Sequence, residues 1–267
     1  MLPVMSDALP DVDAPADTEA AFGFRNVAAA DKPSLVRGVF DSVADRYDLM
    51  NDLMSAGIHR LWKAAMVDWL DPRPGQQFLD VAGGTGDIAS RILGRLAAAD
   101  SKSGSRVVVC DLTPRMLAIG RDRALDRGII GGLEWIAGSA EALPFPDRTF
   151  DAYTIAFGLR NVTDLGRTLA EARRVLKPGG RFLCLEFSHV TVMPFARLYD
   201  LYSFYVLPAL GQIVARDRDA YQYLVESIRR FPTQEQLVQR IAQAGLDQVK
   251  FRNLTGGVAA LHAAWRI

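Results

Sequence analysis

Hydrophobic residues recur at three- and four-residue spacing in two segments near the start of the chain, residues 36–50 and 58–69. This spacing places apolar side chains on one face of a helix. Pro72 and Gly75 then end the second helix and precede the first buried strand. We therefore predict a helical cap over residues 34–74.

Beyond residue 75, continuous apolar segments alternate with amphipathic ones. Continuous apolar strands between helices are typical of a parallel sheet with helices on both faces. The link Thr255–Gly257 leaves room only for a hairpin, so the last strand is predicted to run antiparallel to its neighbour. The result is an α/β fold with a seven-stranded, mostly parallel sheet. The predicted strands are 77–81, 106–110, 133–137, 150–157, 181–187, 248–254 and 258–267, and the predicted helices of this domain include 87–96, 114–127 and 164–176.

The N-terminal region is acidic and contains several alanines and prolines. It includes Asp7, Asp11 and Asp13 but no sustained apolar run, which is unlike a signal peptide or an arginine-rich transit peptide. We expect residues 1–33 to be a disordered acidic tail on a cytoplasmic protein. Residues 75–267 form the main domain, which is interrupted by an insertion at about residues 189–230.

Composition argues against several kinds of partner and site. Lysine plus arginine and aspartate plus glutamate both number 31 in 267 residues, and this balance is unlike that of a nucleic-acid-binding protein. Cys110 and Cys184 lie in apolar runs and form no CxxC pair, so we expect neither a disulfide nor a metal site. No stretch reaches the roughly 18 apolar residues of a membrane span.

The segment FLDVAGGTGD, residues 78–87, joins an apolar strand to a helix through a glycine turn. Glycine allows a tight turn and a close approach of the backbone to a ligand, and such a turn at a helix N-terminus suits a nucleotide-like group. Asp111 ends the second strand, at a spacing typical of a carboxylate that accepts hydrogen bonds from a ribose. The third strand ends at residues 138–141, and all three loops meet at the carboxyl edge of the predicted sheet.

The glycine turn also fits two other interpretations. The segment from Gly84 to Ala89 also fits the GxGxxA fingerprint of dinucleotide-binding proteins, so an NAD(P)-dependent oxidoreductase stays an alternative, although we find no motif for hydride transfer. The glycines could also form nothing more than a tight turn between a strand and a helix. The presence of Asp111 favours ligand binding over that structural role.

Longer motifs resemble one group of enzymes. The pattern Asp80-x-x-x-Gly84-x-Gly86, followed by Asp111, resembles class I S-adenosylmethionine-dependent methyltransferases, with Ala82 where many members have a glycine. Four segments resemble the UbiE/COQ5 quinone-biosynthesis C-methyltransferases: YDLMN (47–51), FGLRNV (157–162), RVLKPGG (174–180) and NLTGGV (253–258). The resemblance covers residues 22–267 and implies a Rossmann-like class I methyltransferase fold.

Members of that family methylate a ring carbon of a polyprenyl benzoquinol or naphthoquinol, which yields precursors of ubiquinone or menaquinone. The resemblance therefore implies S-adenosyl-L-methionine as the cofactor and a polyprenylated quinol as the substrate. By analogy, Asp111 holds the ribose hydroxyls, while Ser139 and Ala140 contact the adenine. Some relatives have a cofactor-binding serine where this chain has Ala156, and that contact is not carried over. The residues expected to bind the cofactor are Tyr47, Asp80, Gly84, Thr85, Gly86, Asp111, Leu112, Ser139 and Ala140.

Such a reaction requires an electron-rich ring carbon held in line with an activated methyl group, away from water. A phenolic hydroxyl with a pKa of about 10 needs a base or a positive charge to become a phenolate. Arg160 and Asn161 follow the fourth strand. We expect Arg160 to stabilise a phenolate or polarise a water, and Asn161 to orient the ring oxygen. His59 is a further catalytic candidate, although a lone histidine on an amphipathic helix is more often structural.

The identity of the substrate is expected to depend on the insertion. Its aromatic segment 194–208 contains Tyr199, Tyr202 and Phe204, which either pack as an ordinary helix or cover the quinol ring and the start of its tail. A lipid-soluble substrate suggests a peripheral contact with the inner face of the membrane, for which arginines between residues 216 and 230 are candidates. A homodimer, a quinone-synthesis complex and a non-catalytic lipid-binding scaffold are also left open.

Overall fold

The computed structural model of the chain describes residues 19–44, 52, 55, 57–99, 104–190 and 218–267. Its strands are β1 (Glu19–Phe22), β2 (Arg25–Ala28), β3 (Gln77–Val81), β4 (Arg106–Asp111), β5 (Leu133–Ala137), β6 (Phe150–Ala156), β7 (Leu176–Phe187), β8 (Asp247–Leu254) and β9 (Ala259–Trp265). Its α-helices are α1 (Lys32–Val43), α2 (His59–Leu70), α3 (Asp87–Ala99), α4 (Pro114–Asp126), α5 (Leu165–Val175), α6 (Arg218–Arg230) and α7 (Gln234–Gln243). Short 3-10 turns cover Leu159–Asn161 and Thr255–Gly257.

Seven of these strands form one sheet in the order β5-β4-β3-β6-β7-β9-β8. Strands β3 to β7 pair in parallel, whereas β9 runs antiparallel to both β7 and β8. The predicted mostly parallel sheet with an antiparallel C-terminal strand is therefore confirmed. The chain leaves β3 toward β4 on one side and returns to β6 on the other. Sheets of this type bind ligands at such a reversal, beyond the carboxyl ends of the strands.

Apolar side chains fill both faces of the sheet, which is why the strands read as continuous apolar runs. On one face, Met66 of α2, Ile92 of α3 and Leu224 of α6 belong to one buried cluster. On the other face, Leu169 of α5 and Ile241 of α7 belong to a second cluster. Helices on both faces thus bury the sheet, as the sequence predicted.

Helix α2 of the predicted cap packs directly on the main domain. Trp62 is buried, its indole Nε1 donates to the hydroxyl of Thr255 at 2.9 Å, and its ring meets the edge of Phe187. Lys63 Nζ donates to Asp87 Oδ2 at 2.8 Å. Because Asp87 is the first residue of α3, this ion pair links the cap to the end of the glycine turn.

The N-terminal tail was predicted to be disordered as far as residue 33, and this is wrong for residues 19–33. Strands β1 and β2 form an antiparallel hairpin, and α1 already begins at Lys32. Phe22 of the hairpin is buried and stacks on Tyr223 of α6, with ring centroids 4.3 Å apart. Two four-residue strands are marginal by themselves, so the contact with α6 stabilises a segment whose composition suggested disorder. Residues 1–18 lie outside the described part of the chain.

Most of the predicted insertion also lies outside the description. Residues 191–217 are not described, and α6 forms its last part. None of the described helices combines the length and apolar character that crossing a bilayer requires.

Candidate active site

A cleft, called the main cleft below, lies at the carboxyl ends of the central strands, beside α1. Pro33, Val36 and Phe40 of the α1 region form one wall, and the loops after β3 to β6 form the other. Predicted site residues that line this cleft are Gly84, Asp111, Leu112, Ser139, Ala140 and Asn161. The structure thus brings together loops that are far apart in the chain.

Asp111 is fixed between two of these loops. Its Oδ2 accepts a hydrogen bond from the Gly84 N–H at 2.8 Å, and its Oδ1 accepts one from the Thr113 N–H at 2.8 Å. Burial raises the pKa of Asp111, and the hydrogen bonds from Thr113 and Gly84 act in the opposite direction. Each carboxylate oxygen can accept a second hydrogen bond. The side chain therefore ties β4 to the glycine turn at the edge of the cleft.

The glycine turn has a backbone that suits few other residues. Gly84 and Gly86 have φ values of 55° and 75°, in the left-handed region that favours glycine. A Cβ at Gly86 would also lie 2.5 Å from the ring of Trp135. Ala82 has a φ of 49°, which costs a residue with a Cβ about 1 kcal/mol. This strain explains why a glycine would suit the position of Ala82.

Asp80, one residue before the end of β3, has one oxygen bonded and the other without a partner among the described residues. Its Oδ1 accepts from the Thr154 hydroxyl at 2.8 Å, while its Oδ2 has no hydrogen-bond partner among the described residues. Burial raises the pKa of Asp80 to about 7. The residue lines a small cavity with Lys63 and Thr85. A buried oxygen without a partner is a site where a ligand donor would be stabilised.

The loops after β5 and β6 are joined by side-chain hydrogen bonds. Ser139 Oγ accepts from the Glu141 N–H at 3.2 Å, and Glu141 Oε1 accepts from the Thr163 N–H at 2.6 Å. These bonds join the Ser139 loop to the segment that follows the Asn161 turn. The two loops form one continuous wall.

Arg160 is buried in an ion pair and does not line the main cleft. Its guanidinium donates to Glu186 Oε1 at 2.7 Å and to the Phe157 carbonyl at 2.5 Å. Glu186 also accepts from the Arg160 and Phe187 N–H groups. Arg160 instead lines a separate cavity beside the hairpin. Its predicted contact with a phenolate remains a prediction, since the charge of the guanidinium is balanced by Glu186.

Asn161 does line the main cleft, and its amide is held at both ends. Nδ2 lies 3.4 Å from the Phe157 carbonyl, and Oδ1 accepts from the Tyr223 hydroxyl at 3.1 Å. Sequence reasoning missed Tyr223. Its helical periodicity could have indicated a buried position, but its partner on the turn Leu159–Asn161 depends on tertiary packing.

This fold and cleft match a known group of proteins. The model of the ubiE/COQ5 methyltransferase family matches residues 26–266. The chain belongs to the ubiE/COQ5 methyltransferase family. Its match includes the glycine turn, Asp111 and the turn that carries Asn161.

Curated relatives cover nearly the whole chain. A protein of Paracoccus denitrificans named ubiquinone/menaquinone biosynthesis C-methyltransferase UbiE is 58% identical over 249 residues, covering 93% of this chain and 97% of the relative. A rice protein named 2-methoxy-6-polyprenyl-1,4-benzoquinol methylase, mitochondrial, is 53% identical over 259 residues, covering 92% and 88%.

Solved structures share the fold at low sequence identity. A SAM-dependent methyltransferase from Thermotoga maritima has a TM-score of 0.61 and 18% identity, covering 87% of this chain and all of that one. Phosphoethanolamine N-methyltransferase 2 of Haemonchus contortus, in complex with S-adenosyl-L-methionine, has a TM-score of 0.54 and 17% identity, covering 77% of this chain and 52% of that one. Both support the class I methyltransferase fold.

His59, the third catalytic residue predicted in this family member, lies away from the main cleft. Its ring Nδ1 is 2.9 Å from the Ser55 hydroxyl, and burial lowers its pKa to about 4. His59 lines a groove that also contains Thr85 and Arg60. The three predicted catalytic residues are therefore not brought together, and the contacts of His59 match the structural role that the sequence left open.

The structure does not describe four further residues that were predicted to bind the cofactor or the substrate. Tyr47, Tyr199, Tyr202 and Phe204 all lie outside the described residues. Within the described ranges, no cluster of histidine, cysteine, aspartate or glutamate is arranged to hold a metal ion. Both cysteines are buried and free, and burial raises the pKa of Cys110 to about 12.

Asp80 gives the unfolding free energy a characteristic dependence on pH. Its folded pKa of about 7 lies above the ordinary value of 3.8, so the folded state binds more protons between these values. The contribution of Asp80 to the free energy of unfolding is therefore lost as the pH rises through that interval, by up to about 1.4 kcal/mol per pH unit. Urea denaturation across the interval should show a flatter pH dependence for Asp80→Asn than for the wild type. Parallel curves for the two proteins would contradict the assignment.

Removing Arg160 should destabilise the fold strongly. Arg160→Ala leaves Glu186 buried without its cation, and breaking a buried pair in this way costs about 3–5 kcal/mol. The matched control is Arg121→Ala, which removes an exposed pair with Asp122 and should change stability by less than about 1 kcal/mol. Urea unfolding measures both. Equal stability of the two variants would show that the Arg160 pair does not hold the fold.

Proposed function

We propose that the protein transfers the methyl group of S-adenosyl-L-methionine to a ring carbon of a polyprenyl benzoquinol or a demethylmenaquinol, in ubiquinone or menaquinone biosynthesis. The observation that carries this proposal is the cleft around Asp111 in a chain that belongs to the ubiE/COQ5 family. The names of the bacterial and plant relatives supply the reaction and both substrate classes.

The residues of the cleft fit this methyl donor. Asp111 offers acceptors for ribose hydroxyls, and Ser139 and Ala140 lie where an adenine would rest. The free Oδ2 of Asp80 fits a donor such as the ammonium group of the amino-acid end. Gly84, Thr85 and Gly86 would allow close approach of the backbone, and Tyr47 and Leu112 complete the proposed binding set. When bound, the sulfonium centre supplies an activated methyl group.

The side chains of the protein then have to hold and activate the quinol. Val36 and Phe40 of α1 form an apolar wall that limits access of water to the cleft. The Asn161 amide nitrogen is suited to donate a hydrogen bond to a ring oxygen, which stabilises negative charge on it. The Arg160 guanidinium, paired with Glu186, holds the Phe157 carbonyl beside this site. We assign a positioning role to these groups. Most of the rate enhancement is then attributed to correct orientation of the quinol.

The proposal extends to where the protein works. Tyr199, Tyr202 and Phe204 would cover the quinol ring and the first part of its tail. A substrate dissolved in lipid would require a cytoplasmic protein to contact the inner face of the membrane. One of the arginines considered for that contact, Arg230, donates to Asn26 and to the Phe24 carbonyl of the hairpin, which assigns it to internal packing.

Purified protein, methyl-labelled S-adenosyl-L-methionine and each quinol in turn would test the proposal. Mass spectrometry should locate the label on a ring carbon of at least one quinol. Asp111→Asn should bind the cofactor roughly 10- to 100-fold more weakly by calorimetry, because it replaces an acceptor of ligand hydroxyls with an amide. Asp122→Asn, at an exposed position, is the matched control.

Other results would select a different function. Label on a quinol oxygen would overturn C-methylation. Binding of NADH in preference to S-adenosyl-L-methionine would favour the oxidoreductase. Tight binding of the cofactor without transfer to either quinol would favour a non-catalytic scaffold.

A further inference from the structure

Tyr223 lies on α6 and touches the turn that carries Asn161. Its side chain is buried, with 5% of the residue exposed, and its hydroxyl is 3.1 Å from Asn161 Oδ1. The two residues are 62 positions apart in the chain. This hydrogen bond is thus made by packing of α6 against the active-site turn.

The neighbouring groups determine which way the Asn161 amide faces. The Phe157 carbonyl can only accept hydrogen bonds, so Nδ2 of Asn161 has to face it. Oδ1 then faces Tyr223, whose hydroxyl has to donate. Burial raises the pKa of Tyr223 to about 12, and the hydroxyl keeps the proton that it donates at neutral pH.

This orientation has a consequence for any ligand in the main cleft. The oxygen of the Asn161 amide is engaged by Tyr223, while Nδ2 makes one long bond of 3.4 Å and has a second N–H. Asn161 therefore offers a hydrogen-bond donor to the cleft. An oxygen that carries developing negative charge, such as a quinol ring oxygen during methyl transfer, is the matching acceptor.

The N-terminal hairpin holds the Tyr223 ring in place. Phe22 stacks on that ring with an interplanar angle of 24°, and the Phe24 N–H donates to Glu226 Oε2 at 2.9 Å. Arg230 donates to Asn26 Oδ1 at 2.9 Å. Three contacts along α6 thus fix the helix and its tyrosine against the hairpin.

The carbonyl at the other end of the amide is also held. Phe157 has a φ of 58°, which is rare for a bulky residue and is typical of functional turns. Its carbonyl accepts from Arg160 as well as from Asn161. The Asn161 amide is therefore held at one end by the Phe157 carbonyl and at the other by the Tyr223 hydroxyl, and further contacts hold each of these groups in place.

We propose that Tyr223 is a positioning residue that sets the Asn161 amide so that its N–H faces the quinol ring oxygen. This role rests on the proposed C-methylation, for which Tyr223 would orient the hydrogen-bond donor, the Asn161 amide N–H. Without the tyrosine hydroxyl, only the long 3.4 Å bond to the Phe157 carbonyl holds the amide, and the amide can then rotate and present its oxygen to the cleft. An oxygen in that place would repel a phenolate.

Tyr223→Phe tests this because it removes the hydroxyl and keeps the ring that stacks on Phe22. We expect kcat to fall roughly 10- to 100-fold, as small errors of position do in such sites, while cofactor affinity and melting temperature stay unchanged. The matched control is Tyr153→Phe in β6, a buried tyrosine whose hydroxyl has no partner among the described residues. That control should keep wild-type kcat.

A double-mutant cycle separates positioning from a general packing effect. If Tyr223 acts through Asn161, Tyr223→Phe should cause no further loss of kcat in an Asn161→Ala background. Losses of kcat that multiply in the double variant would overturn the proposal. So would a wild-type kcat in Tyr223→Phe, or a loss of cofactor affinity and melting temperature that accompanies the loss of kcat.

A readout that needs no turnover keeps this test separate from the proposed reaction. In the NMR spectrum, nitrogen relaxation of the Asn161 side-chain NH2 group should show an ordered amide in the wild type and a more mobile one in Tyr223→Phe. Absence of methyl transfer by the wild type would refute the proposed function alone. An Asn161 amide that is equally ordered in both proteins would refute the role of Tyr223.

Discussion

The carboxylate of Asp111 joins the end of β4 to the glycine turn after β3 through hydrogen bonds from the Gly84 and Thr113 backbone. The rest of the site depends on this interaction, because it fixes two neighbouring strand ends that line the cleft. A carboxylate is suited to this position because a neutral acceptor would form weaker bonds to the backbone N–H groups. Its burial between the strand ends limits competition from water for those bonds.

A second constraint acts on the turn that follows β6. The Arg160–Glu186 pair is almost fully buried and binds the Phe157 carbonyl and two backbone N–H groups. Buried pairs contribute little net stability compared with apolar packing, so its effect on shape matters more. It holds the strained Phe157 turn and, with Tyr223, determines which atoms of Asn161 face the cleft.

The sequence predicted the sheet because its strands are buried on both faces and therefore apolar throughout. It also predicted the antiparallel last strand, since the link Thr255–Gly257 is too short for a crossover. The hairpin of β1 and β2 was missed because its strands are short and depend on packing against α6. The loops around Gly84, Asp111 and Ser139 were found because parallel strands end at one edge. The partners of Arg160 and Asn161 were not found, since Glu186 and Tyr223 meet them only through tertiary packing.

A crystal structure of the protein with S-adenosylhomocysteine, the product form of the methyl donor, tests the central claim most directly. The account predicts ribose hydroxyls within hydrogen-bond distance of the Asp111 carboxylate, with the adenine beside Ser139 and Ala140. A nucleoside bound in the groove beside His59, with Asp111 making only its two backbone hydrogen bonds, would contradict it.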